Sequence, residues 1–316
     1  MSLLTRIFKK SPNPLPPPPP PREEAPKARP TAKTAGQHKP EQLGGQALSG
    51  VRQIIAVASG KGGVGKSTSA VNLAYCLIAL GYKVGLLDAD IYGPSLAIMT
   101  GVGNPEEMQG ALVVPPIHQG IKMISVAMFA SASSAQILRG PMAGNMIKQF
   151  LTNVAWGELD YLLIDYPPGT GDIQLTISQT ASLAGAIMIT SPQEIALADV
   201  RKAIAMFGTL KVPVLGIIET MSYFICDSCD KKHFIFTQGG GAKLAAEFAL
   251  PLLGQIPLAA EITASSDEGK PLSLHRTSSP AAQAYRAAAE QCLSELGRLS
   301  QQNTAALGSF TLHWKQ

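Results

Sequence analysis

A chain of 316 residues with 46% apolar residues and a net charge of +4 is long enough for one large or two modest domains with a substantial core. Its four cysteines, at 76, 226, 229 and 292, are too few and too unevenly spaced for a secreted disulfide framework, and no apolar run reaches the length of a membrane span. The positive charge sits at one end: residues 1 to 50 hold eight Lys/Arg against three Glu, so the remainder is close to neutral and is not expected to bind nucleic acid.

Residues 1 to 50 also carry eleven of the 24 prolines. The unbroken run from 16 to 21 favours an extended polyproline II spacer and prevents helix or sheet ladders, so this basic, proline-rich segment is expected to be disordered. At its start, over residues 2 to 10, Leu3, Leu4, Ile7 and Phe8 share a helical face with Arg6, Lys9 and Lys10 alongside. Three readings fit that stretch. It is a weak membrane-surface anchor, a frayed basic terminus without a role, or a mitochondrial presequence, the last opposed by the proline run and the scarcity of serine.

From residue 52 onward apolar runs alternate with helical patterns. Strands are predicted at 54–58, 83–87, 122–127, 160–164, 185–190 and 213–218, and helices at 66–80, 141–152, 173–182, 197–209, 241–248 and 280–298. This rhythm predicts an α/β fold, a mostly parallel, doubly wound sheet covered by helices on both faces, with ligands at the carboxyl ends of the strands. The folded domain is expected over 51 to 298, and the glutamine-rich end, 299 to 316, is expected to be loosely held.

Residues 59 to 68 read SGKGGVGKST and lie between an apolar strand and a helix, the setting of a Walker A phosphate loop. Gly60, Gly62, Gly63 and Gly65 permit backbone conformations in which successive N–H groups point at phosphate oxygens, near the positive end of the helix. Lys66 is placed to reach the β- and γ-phosphates of ATP, Ser67 to offer its hydroxyl to Mg²⁺, and Val64 and Thr68 complete the cradle. Lys61 is surplus to an ordinary loop. Two acidic strand tips follow, LLDAD at 86 to 90 and LLID at 162 to 165. Asp165 has the form of a Walker B carboxylate that helps hold Mg²⁺. Asp88 and Asp90, two apart on one side of an extended chain, are expected to serve the Mg²⁺ shell and the attacking water respectively. Asp172, ahead of a helical pattern, reads as well as a helix cap as it does as a reactive group.

With these residues the chain resembles the deviant Walker A ATPases, and the strings DADIYGPS, DYPPGTGD and PQEIALADVRK, with the CxxC after Met221-Ser222-Tyr223, resemble the Mrp/ApbC branch. The resemblance covers residues 52 to about 275. It implies a P-loop NTPase fold and an iron-sulfur cluster carrier, in which Lys61 reaches across a homodimer to the partner's nucleotide and makes turnover depend on dimerisation. Two positions depart from the pattern: Tyr166 stands where the family usually has Leu, and Thr220 where it usually has the Asn that hydrogen-bonds adenine. With one rotatable hydroxyl in place of a planar amide, base recognition at Thr220 is expected to be weaker than phosphate binding.

Cys226 and Cys229, in a loop over 224 to 238, can bind one metal centre across a tight turn. A redox dithiol would be expected to open a helix early in a βαβ unit, and a zinc site needs two further ligands, for which His233 is a weak candidate. Two subunits meeting at an axis would bring four thiolates together, the complement of a 4Fe-4S cluster, and Lys61 asks for the same symmetry. Cluster and zinc would occupy the same residues. Cys76 and Cys292 read as buried core cysteines. The glycine run 239 to 241 reads either as an anion-binding helix start or as a turn that positions the cysteine loop.

The leading expectation is therefore a homodimeric ATPase that delivers a cluster to apoproteins in a reducing compartment, the cytoplasm, with the mitochondrial matrix as the alternative. A MinD/ParA-type positioning ATPase acting on membrane or DNA is the alternative. An iron-protein reductase is a third, opposed by the close spacing of the cysteines.

Overall fold

Val51–Ser59 forms strand β1, and its last six residues are all buried. A strand covered on both faces loses the alternation of a half-exposed one, which is why IIAVAS reads as a continuous small and apolar run. The computed structural model describes residues 48–91, 93–129 and 140–308, all within one unit, Gln42–Gln316. The proline-rich segment, the amphipathic start at 2–10, Tyr92 and the last eight residues lie outside the described residues.

After the phosphate loop come α1 (Lys66–Ala79), β2 (Val84–Asp88) and the short α2 (Leu96–Thr100). The strands β3 (Met108–Gln109), β4 (Leu112–Val113), β5 (Ile117–His118) and β6 (Ile121–Ser125) follow. Next, α3 (Gly140–Thr152), β7 (Leu159–Asp165), α4 (Asp172–Thr180), β8 (Leu183–Thr190), α5 (Glu194–Thr209) and β9 (Val214–Glu219) alternate. A hairpin of β10 (Phe224–Ile225) and β11 (Lys232–His233) precedes α6 (Gly240–Glu247), β12 (Leu252–Gln255), α7 (Ala260–Asp267), α8 (Leu272–His275) and α9 (Pro280–Gly308).

The main sheet has the order β12-β9-β8-β1-β7-β2-β6-β5, parallel throughout except where β5 turns back on β6. Alternate residues of β1 serve opposite layers, as the pleat requires. Ile54, Ala56 and Ala58 pack with Phe207 of α5 and Leu244 of α6, whereas Ile55 and Val57 pack with Tyr75 of α1 and Tyr285 of α9. Trp156, fully buried ahead of β7, satisfies its indole N–H on the Phe150 carbonyl at 3.1 Å. The expected doubly wound parallel sheet is what the chain forms.

Differences fall at short elements. β12, α7 and α8 escape a periodicity reading because four to eight residues are too few to show a period. The last helix continues past 298 to Gly308, into the segment expected to be loose.

Candidate functional site

The phosphate loop is fixed by two close fits. Gly65, at φ +79°, takes the left-handed N-cap position of α1, and at Gly60 a Cβ would collide with the backbone of Asp199 and Val200 in α5. The first turn of α1 carries no acidic residue, so its free N–H groups and positive dipole end remain available to an anion. The loop residues Gly62, Gly63, Gly65, Lys66, Ser67 and Thr68 form one wall of a cavity of about 640 Å³. Asp90, Gly93, Ser95, Met99, Pro168 and Met221 form the other.

Lys66 is 6% exposed, with Nζ 2.6 Å from Asp165 Oδ1 and 3.6 Å from Asp90 Oδ2. Strand register places Asp88 directly beside Asp165 and brings Asp165 beside Val57, so both acidic tips meet the loop at one sheet edge. Burial pushes the Asp165 carboxyl up, and Lys66 beside it pulls it down. Asp165 Oδ2 is buried with no hydrogen-bond partner among the described residues. An orphaned carboxylate oxygen next to the phosphate loop fits a bound Mg²⁺ or its hydration shell, with the Ser67 hydroxyl as the neighbouring donor atom.

Asp88, the other carboxylate expected in that shell, sits at the neighbouring strand tip. It is fully buried and does not line the cavity. Its Oδ1 accepts the Asp90 N–H at 3.1 Å, and its Oδ2 accepts the Ser95 and Leu96 N–H groups, each at 3.2 Å, and the Ser125 hydroxyl at 3.0 Å. Burial first and the Asp165 charge second push its carboxyl up to about 7, against the pull of these hydrogen bonds. Asp88 organises the turn that carries Asp90 and the start of α2. The Thr220 hydroxyl is shared between the Val64 carbonyl at 2.6 Å and the Thr190 carbonyl at 2.9 Å, so it braces the phosphate loop.

Lys61 is half-buried, with its carbonyl held by the Ser59 hydroxyl at 2.9 Å, and Lys61, like Gly60 and Val64, does not line the cavity of its own chain. Asp172 opens α4 one residue after the cap Gly171. Tyr166 is accommodated in the core, its hydroxyl 2.9 Å from Ser178 Oγ and its ring against Phe207.

The cysteines sit on the turn of the β10–β11 hairpin. Phe224 pairs with His233 and Ile225 with Lys232, and the Cys226 N–H donates to the Lys231 carbonyl at 3.0 Å. Asp230 closes the turn at φ +56°, its N–H on the Cys226 carbonyl at 2.9 Å. Cys226 is half-buried and Cys229 exposed. The Ser228 N–H, then the Cys229 thiol and N–H, hold the Cys226 thiol below its usual range. Beside Cys226 lies a cleft of about 350 Å³ that also reaches Asp227, Leu258 and Glu261. Among the described residues no group of three or more Cys, His, Asp or Glu could hold a metal ion, so His233 completes no site within this chain. Burial pushes Cys76 up to about 11 and Cys292 up to about 12, as suits core cysteines.

The glycine run at 239 to 241 binds an anion that the chain itself supplies. Glu219, at the tip of β9, accepts the Gly241 N–H at the start of α6.

A sequence profile described as ParA: NUBPL iron-transfer P-loop NTPase matches residues 50–293. The chain belongs to this NUBPL iron-transfer P-loop NTPase family. A protein named iron-sulfur cluster carrier protein from Pseudomonas fragi is 45% identical over 242 residues, 76% of this chain and 84% of that one. A protein of the same name from Aquifex aeolicus is 46% identical over 241 residues, but the match spans only 66% of its length. An Archaeoglobus fulgidus nucleotide-binding protein solved with ADP is 38% identical with a TM-score of 0.65, over 77% of this chain and 95% of that one. The cell division ATPase MinD of Pyrococcus furiosus, at 21% identity and a TM-score of 0.59 over 78% of this chain and 99% of that one, shows the fold alone.

In this NUBPL-family NTPase the structure brings Lys66, Ser67, Asp90 and Asp165 together at the carboxyl edge of the sheet. The hairpin with Cys226 and Cys229 leaves the same edge from the end of β9. Met221, Met99 and Pro168 of the cavity wall were not foreseen, because an apolar side chain in a loop or a one-turn helix carries no chemical signature in sequence. No helix of the described residues is long and apolar enough to cross a membrane.

Proposed function

We propose that this protein is an ATP-binding and ATP-hydrolysing carrier that holds a 4Fe-4S cluster between two copies of itself through Cys226 and Cys229 and passes it to apoproteins. The observation that carries this reading is the hairpin, a preshaped turn with one half-buried and one exposed thiol, the first held below its usual range by the turn's own N–H groups, and no group of three or more metal-ligating side chains among the described residues. A two-fold axis supplies the second pair of thiolates that such a cluster takes. Phe234, Ile235 and Phe236, exposed directly after the hairpin, offer apolar surface of the kind a dimer contact covers. The names of the Pseudomonas and Aquifex relatives support the carrier reading, and the paired cysteines on a shaped turn favour it over a positioning ATPase. Free cysteines suit a reducing compartment, the cytoplasm or the mitochondrial matrix.

In the nucleotide step water attacks the γ-phosphorus and the bond to the ADP oxygen breaks. Lys66 transfers from Asp165 to the phosphates and neutralises their charge. Asp90, at the cavity wall, orients the water. Lys61, outside the lining of its own cavity, reaches the partner's nucleotide, which makes turnover depend on the dimer. Ser67 and Asp165 Oδ2 would hold Mg²⁺, which supplies further charge neutralisation when bound.

The test is anaerobic purification of the wild type beside Cys226→Ala, with absorbance, iron content and oligomeric mass recorded. The expected result is a brown dimer with iron, and a folded, colourless variant. One equivalent of zinc without iron in the wild type would defeat the reading.

A further inference from the structure

Glu219 is fully buried at the tip of β9, yet no step of the nucleotide chemistry calls on it. Its Oε1 accepts the Ser222 hydroxyl at 2.5 Å and the Gln255 amide at 3.2 Å, and its Oε2 accepts the Gly241 N–H. Gln255 also donates to Ser222 Oγ at 3.1 Å. One carboxylate therefore ties the end of β9 to the end of β12, to the start of α6, and to the residue where the chain leaves for the cysteine hairpin. Gly241 is shaped to the contact, since a Cβ there would press against the Glu219 side chain. A buried carboxylate is costly unless both oxygens are hydrogen-bonded, and apolar packing would fill the same space at lower cost. A charge kept in such a place points to a need for fixed geometry.

What is fixed is a short path between two sites. Next to Glu219, Thr220 donates its hydroxyl to the Val64 carbonyl of the phosphate loop. Met221 lines the nucleotide cavity at φ +51°, a left-handed conformation that a methionine holds only when its surroundings impose it. Ser222 is then gripped by Glu219 on one side, while its N–H donates to the Ile256 carbonyl at 3.0 Å. The Leu258 N–H donates to the Tyr223 carbonyl at 2.7 Å, and β10 delivers Cys226. A shift of the phosphate loop or of Met221 is thus passed along a clamped backbone and has little room to dissipate in a slack loop.

We propose that Glu219 is a positioning residue that locks the nucleotide cavity wall to the cysteine hairpin, so that nucleotide binding changes the reactivity of Cys226 and Cys229. This deepens the carrier reading and supplies its regulation, but the readout is thiol chemistry and needs no cluster. The metal-free, reduced full chain is alkylated with iodoacetamide in the presence and absence of ADP and Mg²⁺, and the rates at Cys226 and Cys229 are followed by mass spectrometry. Wild type, Glu219→Gln and Ser222→Ala are compared. In the wild type ADP is expected to change the rate about fivefold or more, the usual lower range for coupled sites. In both variants ADP still binds within about twofold of wild type, and the ratio of rates with and without ADP falls close to one. Should Glu219→Gln fail to fold, Ser222→Ala, which removes a single hydroxyl, still decides the matter. A wild-type ratio of one, or a variant that keeps the wild-type ratio, overturns the proposal. Uptake of zinc in place of iron would overturn the carrier reading and leave this ratio intact as a measurement.

Discussion

The nucleotide cavity and the cysteine hairpin leave the same edge of one sheet, and they are built in opposite ways. At the cavity edge, carboxylates sit on the ends of parallel strands beside the lysine that opens α1, and Lys66, Asp88 and Asp165 are all buried. Each charge there has an opposite charge or several N–H groups against it. At the hairpin, two strands of two residues each present one half-buried and one exposed thiol, shaped mainly by backbone hydrogen bonds. The difference shows what a single chain can finish alone. A site enclosed by its own sheet brings its own counter-charges, whereas a two-strand turn leaves its thiols open at the surface.

The largest effect that would sharpen this contrast is expected from Lys66→Ala, which should lower ATP hydrolysis by about 100-fold or more. Without nucleotide, the alkylation rate at Cys226 should stay within about twofold of wild type, because the hairpin is shaped locally. A hairpin that changed with the lysine would mean the two regions are one site. Next is Cys229→Ser, for which bound iron should fall to background in an anaerobic preparation while ADP affinity measured by calorimetry is unchanged. Retained iron would show that the exposed thiol is not a ligand.

A smaller effect is expected of Thr220→Val, which keeps the shape and removes the hydroxyl on the Val64 carbonyl. Stability in urea should fall by about 1 kcal/mol, and the preference for ATP over GTP should not move. A changed preference would return Thr220 to base recognition.

The smallest effect belongs to neither region. His118, beside Tyr75 and facing His275 and Gln119, is held below the ordinary imidazole value of 6.5 by burial first and by His275 second. With the folded value depressed, the unfolded chain takes up the proton first on acidification. Stability is therefore full above the ordinary value and declines as pH falls through it, until the folded value is passed. Urea midpoints at about pH 8 and about pH 5.5 should differ less for His118→Asn than for wild type. An equal difference would move the acid response elsewhere.

Much of the nucleotide edge was legible because its demands are peculiar to a few residue types. Only glycine fits against Asp199 and Val200 at position 60, and a lysine after a left-handed glycine at a helix start has few other uses. The turn-capping side of Asp88 was not legible, because a carboxylate at a strand tip looks alike whether it serves a cation or caps a turn. The deciding partners, Ser125 and the N–H groups of Ser95 and Leu96, come from other parts of the chain or from a turn whose course is not written in its residues. The bracing role of the Thr220 hydroxyl was hidden for a related reason, since the direction of a hydroxyl is set by the carbonyls around it. The strand β12 was missed because LLGQ carries no period of its own and becomes a strand through its pairing with β9.

The shared edge also has a practical side. Lys83, exposed just ahead of β2, and the Arg52–Asp160 ion pair mark the opposite ends of the strands, and Lys83 meets Asp160 first through its backbone N–H at 2.9 Å and only lastly through its side-chain charge, so the hydrogen bond survives a replaced side chain. A tether attached at position 83 would stand the molecule on a bead or an electrode with both the cavity and the thiols turned toward solution. The sheet thus comes with a handle, and single-molecule measurement of nucleotide turnover beside thiol chemistry becomes a matter of choosing where to hold it.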